Sequence, residues 1–465
     1  MKKYLPEFKY NIQLAYPIVL SMLGHTLVSV IDSIMVGKVG AQELAAASFA
    51  SSMVFLGVSM IAGFSSVITP LVAKTHAEGD ADENQKILYN SVILCTLSGL
   101  LMFALLYGFK PFMYVMNQTK EVEELALPFL DVIAFSLIPL GVFQGFKQFF
   151  EGLSLTKYSM YATLISNVVN VFFNYVLIYG IWFLPKMGMM GAAYGTLLSR
   201  FVMLAYIVFV LFSQEKFRIY VQNISRRLWD SLWMKKVFNL GFPASMQSLF
   251  EVGLFTGTVW LSGMLGAESQ AANQVALSIV SFPFMFGFGL SIAGVIRVGS
   301  LMGKKDYEKI QLVTESSLIL TLGMYVFFAL LLFLFCYDIP WWFLDKNDTS
   351  KWAMNEEVVF IGAKLLLIGS LFQIVDGVQV VILGILKGLQ DMKIPMYITF
   401  VSYWVVGFGL SIFLAFYTPL KIEGIWYGLV GGLTTAASLL YWRYAIVIKR
   451  LRSPLTPEGG TNLEI

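Results

Sequence analysis

The sequence carries little charge. Asp, Glu, Lys and Arg make up 13% of its 465 residues, against roughly 25% in an ordinary soluble domain. So few charges cannot cover a water-soluble protein of this length. Histidine and cysteine are scarcer, at two each. Cys95 and Cys336 lie in separate apolar runs, which excludes a disulfide framework and a Cys-x-x-Cys metal site. With only His25 and His76 and no His-Glu-x-x-His stretch, the groups for an intramembrane metalloenzyme or a Ser/His catalytic pair are missing, so the reading is not an enzyme. A net charge of +3 gives no basic footprint for nucleic acid. After Met1-Lys-Lys-Tyr-Leu-Pro there is no short apolar region with a small-residue cleavage site, so the first apolar run reads as a retained helix.

What remains is apolar. Hydrophobic residues make up 57% of the chain, and the mean hydropathy is +0.73. Many apolar runs approach the ~20 residues that cross a hydrocarbon core as a helix. They are too long and uniform for alternating barrel strands. In lipid the backbone must satisfy its own hydrogen bonds, so these runs read as helices. We place spans near 14–36, 46–72, 88–109, 126–150, 160–180, 190–213, 237–262, 271–300, 312–336, 359–386, 396–418 and 424–447. Twelve spans put both termini on one side. That side collects Lys2, Lys3, Lys74, Arg226, Arg227, Lys304, Lys305, Lys449 and Arg450 among others. The opposite side has Lys38, Lys110, Lys120, Lys186, Lys346, Lys351, Lys364 and Lys421, less than half as many. The positive-inside bias makes both termini cytoplasmic. Trp341, Trp342 and Trp352 in 337–358 suit an interfacial outer loop.

The polar stretch 214–236 falls near mid-chain and reads as a cytoplasmic linker between an N-lobe (1–213) and a C-lobe (237–450), with a cytoplasmic tail at 451–465. A shift of 226 residues lays Leu14-Ala15-Tyr16-Pro17 on Leu240-Gly241-Phe242-Pro243. Without a gap, Gly37, Gly40 and Ala41 then meet Gly263, Gly266 and Ala267, and Gly63, Ser65 and Asp80 meet Gly289, Ser291 and Asp306. Six helices per half make the halves parallel repeats about an axis along the membrane normal. The expected fold is all-α integral membrane: twelve transmembrane helices in two six-helix lobes related by a pseudo-twofold axis.

Ionisable groups inside such spans cost about 2.5–3.5 kcal/mol on insertion scales and are functional candidates by default. Asp32 lies deep in the first span, with His25 seven residues earlier on the same face. Glu251 lies mid-span in the seventh, one turn after Gln247, and takes the repeat position of His25. Gln373, Asp376 and Gln379 are spaced by three and form one polar stripe, with Gly377 permitting close approach of a neighbour. Asn167, Asn170 and Asn174 form a second, uncharged stripe. It either holds helices together or offers carbonyl oxygens to a hard cation. Each acid also has a structural reading as a cap or helix–helix bond. His76 reads as a solvated loop residue. Lys147 and Arg200 read as snorkelling or paired. The run Phe282-Pro-Phe-Met-Phe-Gly-Phe, with Phe284, reads as packing or lipid-facing more than as cavity lining.

Together these residues resemble the multidrug and toxic compound extrusion (MATE) transporters, in the NorM-like branch. The likeness is carried by Pro17 followed by Asp32-x-x-Met-Val-Gly-x-Val-Gly-Ala, by Asn170-x-x-x-Asn174-Tyr, by Gly191-Ala-Ala-Tyr-Gly-Thr, by Glu251, by Gln373-x-x-Asp-Gly-x-Gln-Val and by Lys387-Gly-Leu-Gln-Asp. It covers essentially the whole chain. The resemblance implies cation-coupled efflux of cationic amphipathic drugs across a bacterial inner membrane by a monomer in lipid, without an organic cofactor. It implies an N-lobe coupling site of Asp32, Asn170, Asn174 and Thr196 and a C-lobe site of Glu251 and Asp376. His25, Gln247, Gln373, Gln379 and Phe284 are candidate cavity lining. One departure stands out: the aromatic a turn before Asp376 is Phe372, which has no hydroxyl to offer as a ligand. A buried carboxylate binds a cation or takes a proton, so either Na+, at one of the lobe sites, or H+ fits, with Na+ favoured. The alternative is a flippase for a lipid-linked precursor, which would want several cationic residues in its cavity. A passive channel fits a two-lobed chain with buried acids less well.

Overall fold

The computed structural model describes residues 3–113, 120–181, 185–221, 229–344 and 352–452. Among them run twelve long helical passes: α1 Leu5–Gly37, α2 Ala41–Glu78, α3 Ala81–Gly108, α4 Lys120–Gly152, α5 Thr156–Tyr179, α6 Met189–Ser213, α7 Ser231–Met264, α8 Ala267–Lys304, α9 Tyr307–Leu334, α10 Trp352–Gly388, α11 Lys393–Phe416 and α12 Lys421–Arg452. Each expected span maps onto one pass; eight fall wholly inside it, and those at 88–109, 160–180, 312–336 and 396–418 overrun its end by one or two residues. Ten are long and apolar enough to cross a membrane by length and composition alone. The other two, α7 and α12, are as long but diluted: Gln247, Glu251 and several Ser, Thr and Gly residues lower the hydropathy of α7.

The repeat is visible in how the turns are built. Asp80 caps α3 by accepting from the Glu83 N–H at 2.9 Å, and Asp306 caps α9 by accepting from the Lys309 N–H at 3.2 Å. These aspartates are 226 residues apart in the sequence. The residue before each cap has left-handed backbone, Gly79 at φ 79° and Lys305 at φ 57°. Glycine takes that conformation freely, whereas a lysine there costs about 1–2 kcal/mol.

By packing, the chain divides into two compact units, Tyr16–Ser248 (the N-unit) and Met1–Ala15 with Leu249–Ile465 (the C-unit). The division falls inside α1 and α7, not at the linker used to draw the lobes. The contacts explain why. At the start of α1, Asn11 donates to Ser316 and Ser317 of α9 at 3.2 and 3.1 Å. Arg297 of α8 donates to the Glu7 carboxylate and, at 2.6 Å, to Asn11 Oδ1. Leu14 and Ala15 pack with Leu290, Ala293 and Ile296. At the start of α7, Ser245 donates to the Met60 carbonyl at 3.0 Å, and Gly241 lies against the Phe64 ring.

The linker is partly built into the N-unit. Phe217 meets Phe150 edge-on at 5.0 Å, and Tyr220 meets Phe149 at 5.3 Å. Asp230 N–H donates to Asn90 at 3.0 Å, and Trp233 Nε1 donates to Glu83. His76, expected in a solvated loop, sits in the last turns of α2, with Nδ1 3.4 Å from the Tyr220 hydroxyl. Linker residues 222–228, tail residues 453–465 and outer-loop residues 345–351 lie outside the described residues. On either side of that loop gap, Trp341 and Trp352 stack at 5.5 Å.

Candidate functional site

In the N-unit, close helix approach builds the site. Gly191 and Gly195 of α6 form a Gly-x-x-x-Gly pair, the small-residue seam that lets membrane helices meet. A Cβ on Gly191 would lie 2.6 Å from the Ile178 backbone nitrogen of α5. A Cβ on Gly195 would fall 1.9 Å from Asn174 Oδ1. The seam presses Thr196 onto the asparagine stripe, and Asp32 of α1 completes the group. Asn174 Nδ2 donates to Asp32 Oδ1 at 2.6 Å. The Asn170 amide satisfies its surroundings with its nitrogen 2.9 Å from Asp32 Oδ1 and its oxygen 3.3 Å from Thr196 Oγ1. Asn170 and Asn174 are buried and Asp32 is half-buried. The four residues read as one coupling site in the sequence thus meet in space. Asn167 stands apart from them, with its amide against Gly24.

Arg200 and Lys147 are close enough to His25 for their charges to act on it. Arg200 also donates to Ser136 Oγ at 2.6 Å, where α4 is interrupted between Phe135 and Leu137. Lys147 lies 3.9 Å from Glu151. His25 therefore belongs to a basic group, distinct from the Asp32 group.

In the C-unit, Glu251 of α7 and Asp376 of α10 lie within electrostatic reach of each other. Asp376 is 5% exposed, and Gln373 and Gln379 are 1% exposed. Gly377 lets α9 approach: its missing Cβ would sit 3.0 Å from Thr321 and 3.3 Å from the Tyr325 ring. Gln373 Nε2 donates to the Tyr325 carbonyl at 3.3 Å. Around this pair, Thr321 Oγ1, the Tyr325 and Tyr403 hydroxyls and both amide atoms of Gln379 are buried without a protein partner. Leaving such groups unmade costs about 1–3 kcal/mol each, so a cluster of them marks a place kept for something other than stability.

Sequence reasoning did not single out Thr321, Tyr325, Tyr403 or the role of Lys387. The Tyr403 hydroxyl lies within electrostatic reach of Glu251 and Asp376, and Lys387 within reach of Glu251. Tyr403 sits in a π-helical stretch, Val401–Phe408, and such stretches recur at functional sites. No one-dimensional signal separates these tyrosines from the chain's other 20, since 22 are present in all. Phe372 has a packing reason: its ring meets Trp426 at 5.7 Å and Phe255 at 6.2 Å. Phe284 also packs, against Phe288 at 5.8 Å and the C-unit core. Gln247 is buried in the N-unit, across the packing division from Glu251. Among the described residues, no three His, Cys, Asp or Glu side chains gather as a metal-binding group.

The molecule is thus a multi-pass helical membrane protein with a carboxylate among amides in one unit and a carboxylate pair among unpartnered hydroxyls in the other. Its fold is that of solved MATE structures. It superimposes with a TM-score of 0.85 on the eukaryotic MATE transporter AtDTX14, at 20% identity over 97% of this chain and 99% of that one. With a MATE protein in complex with MaL6 the TM-score is 0.86, at 20% identity over 96% and 98%. The MatE family pattern matches residues 17–176 and 243–413. The chain is 30% identical over 449 residues to a probable multidrug resistance protein NorM of Agrobacterium fabrum strain C58, covering 96% of this chain and 95% of that protein. It is 29% identical over 450 residues to the multidrug resistance protein NorM of Aliivibrio fischeri strain ES114, covering 95% of each. The chain belongs to the MATE family of transporters, and is not an enzyme.

Proposed function

We propose that this protein exports cationic amphipathic compounds across a bacterial cell membrane in exchange for an inward-moving cation, Na+ before H+. Supporting the exchange are acids inside both units that a positive charge or a proton must settle. The observation that carries the choice of Na+ is the meeting of Asp32, Asn170, Asn174 and Thr196. One carboxylate, two amides and a hydroxyl bring several side-chain oxygens close together, a set suited to a hard metal cation once the amides, whose N–H groups here face Asp32, turn their oxygens to it. The ion and the drug must each bind the alternating states with different affinity, or no exchange is driven.

The test is reconstitution in proteoliposomes, with ethidium exchange followed under an imposed Na+ gradient and, separately, under an imposed pH gradient. The Na+ gradient alone is expected to drive exchange, and Asp32→Asn to lower it at least tenfold with the protein still folded. Exchange driven only by the pH gradient would replace Na+ with H+. No exchange under either gradient would remove the proposal.

A further inference from the structure

Away from both carboxylate sites, a groove of about 540 Å³ runs between α9 and α12 of the C-unit. Its two ends differ in chemistry. One end holds Gln311, Glu315, Lys449 and Arg452, and the other is walled by Leu318 and Tyr441. Residues 441 to 452 span about 16 Å of helix at 1.5 Å per residue. The chain leaves its apolar stretch at Ile448 and enters Lys449-Arg450-Leu451-Arg452, the basic signature of a helix reaching headgroup depth. The polar end therefore lies at the membrane boundary, and the apolar end one to two turns deeper.

The polar end is organised. Arg452 Nη1 donates to Gln311 Oε1 at 2.6 Å, Gln311 Nε2 donates to Glu315 Oε1 at 2.7 Å, and the Tyr4 hydroxyl donates to Glu315 Oε2 at 2.7 Å. The acid and base are thereby held on one frame without pairing to each other. Each Glu315 oxygen keeps a lone pair for a second donor. Lys449 lines the same groove.

We infer that this groove binds a phospholipid whose head carries a phosphate and a primary ammonium together, an ethanolamine phospholipid. Lys449 and Arg452 take the phosphate through charge-assisted bonds. Glu315 takes the ammonium, which has N–H donors that a choline head lacks. The glycerol and upper acyl chain lie along Leu318 and Tyr441. A purely anionic head would satisfy the two bases but meet Glu315 as a like charge, offset only by Lys3 and Arg452, and would leave that carboxylate without an ammonium donor of its own. Charge complementarity thus selects the zwitterion with hydrogen-bond donors.

The test is lipid competition on the purified full-length protein in detergent, read as retained lipid by native mass spectrometry. Equimolar phosphatidylethanolamine, phosphatidylglycerol and phosphatidylcholine of matched acyl chains are supplied. The wild type is expected to retain the ethanolamine lipid about tenfold over each of the others, one charge-assisted bond's worth of discrimination. Glu315→Gln should reduce that ratio to near one while keeping total retention, and Lys449→Ala should lower retention of all three. Equal retention by the wild type, a preference for the glycerol lipid, or an unchanged preference in Glu315→Gln would each overturn the assignment. If Glu315→Gln does not fold, the wild-type competition decides alone.

Discussion

The two carboxylate sites answer the same problem in opposite ways. In the N-unit, Asp32 is met by amide N–H groups of Asn170 and Asn174, so its charge already has partners. In the C-unit, Glu251 and Asp376 sense each other, and the nearby Tyr325, Tyr403 and Gln379 groups are buried without protein partners. A satisfied polar network stiffens the structure, and an unsatisfied one is costly to hold. The N-unit group is the more fully hydrogen-bonded of the two around its acid, although Asn174 Oδ1 is itself buried without a protein partner. The C-unit site is the one with more buried polar groups left without protein partners.

That contrast can be broken by experiment. The largest expected effect is on transport: Asp376→Asn should lower ethidium exchange at least tenfold in proteoliposomes, and full activity would take Asp376 out of the scheme. Next is the anchoring of α1. Glu7→Gln strands the buried Arg297 and should cost roughly 3–5 kcal/mol, seen as a lower thermal unfolding temperature in detergent. Trp233→Phe removes only a neutral donor to Glu83 at the start of α7 and should cost about 1 kcal/mol. Equal losses would show that the two anchors do not differ as their chemistry suggests. Gly191→Ala forces a Cβ onto the backbone of α5 and should destabilise by about 1–3 kcal/mol, with weaker cation dependence of transport because Thr196 is displaced. The smallest effect separates the sites directly. Tyr403→Phe should raise the concentration of drug giving half-maximal transport by several-fold and leave the Na+ dependence in place. A loss of Na+ dependence instead would move ion coupling to the C-unit.

Much of this was legible in one dimension. Hydropathy and run length located all twelve passes, because in lipid a long apolar stretch has no alternative to a helix that satisfies its own backbone. The 226-residue offset foresaw matched caps, and Asp80 and Asp306 supply them. The Asp32 group was legible only through family resemblance. Periodicity alone puts three asparagines on one face and cannot say that Asn167 turns to Gly24 while its two neighbours turn to Asp32. The lobe boundary was read at a polar linker, yet packing divides the chain inside α1 and α7. A buried ion pair such as Glu7–Arg297 joins residues 290 apart in the chain, which no local pattern records. His76 looked like a loop residue because polarity does not distinguish a loop from a helix end.

The sequence by itself determined that this is a helical membrane protein of two related halves with acids inside apolar spans. Those are properties of composition, period and offset, and each is set by neighbours along the chain. Only the tertiary structure decided what surrounds each acid: amides for Asp32, and hydroxyls from α9 and α11 for Glu251 and Asp376. The side chains that meet there come from separate helices, and helix–helix approach at single glycines, not sequence distance, brings them together.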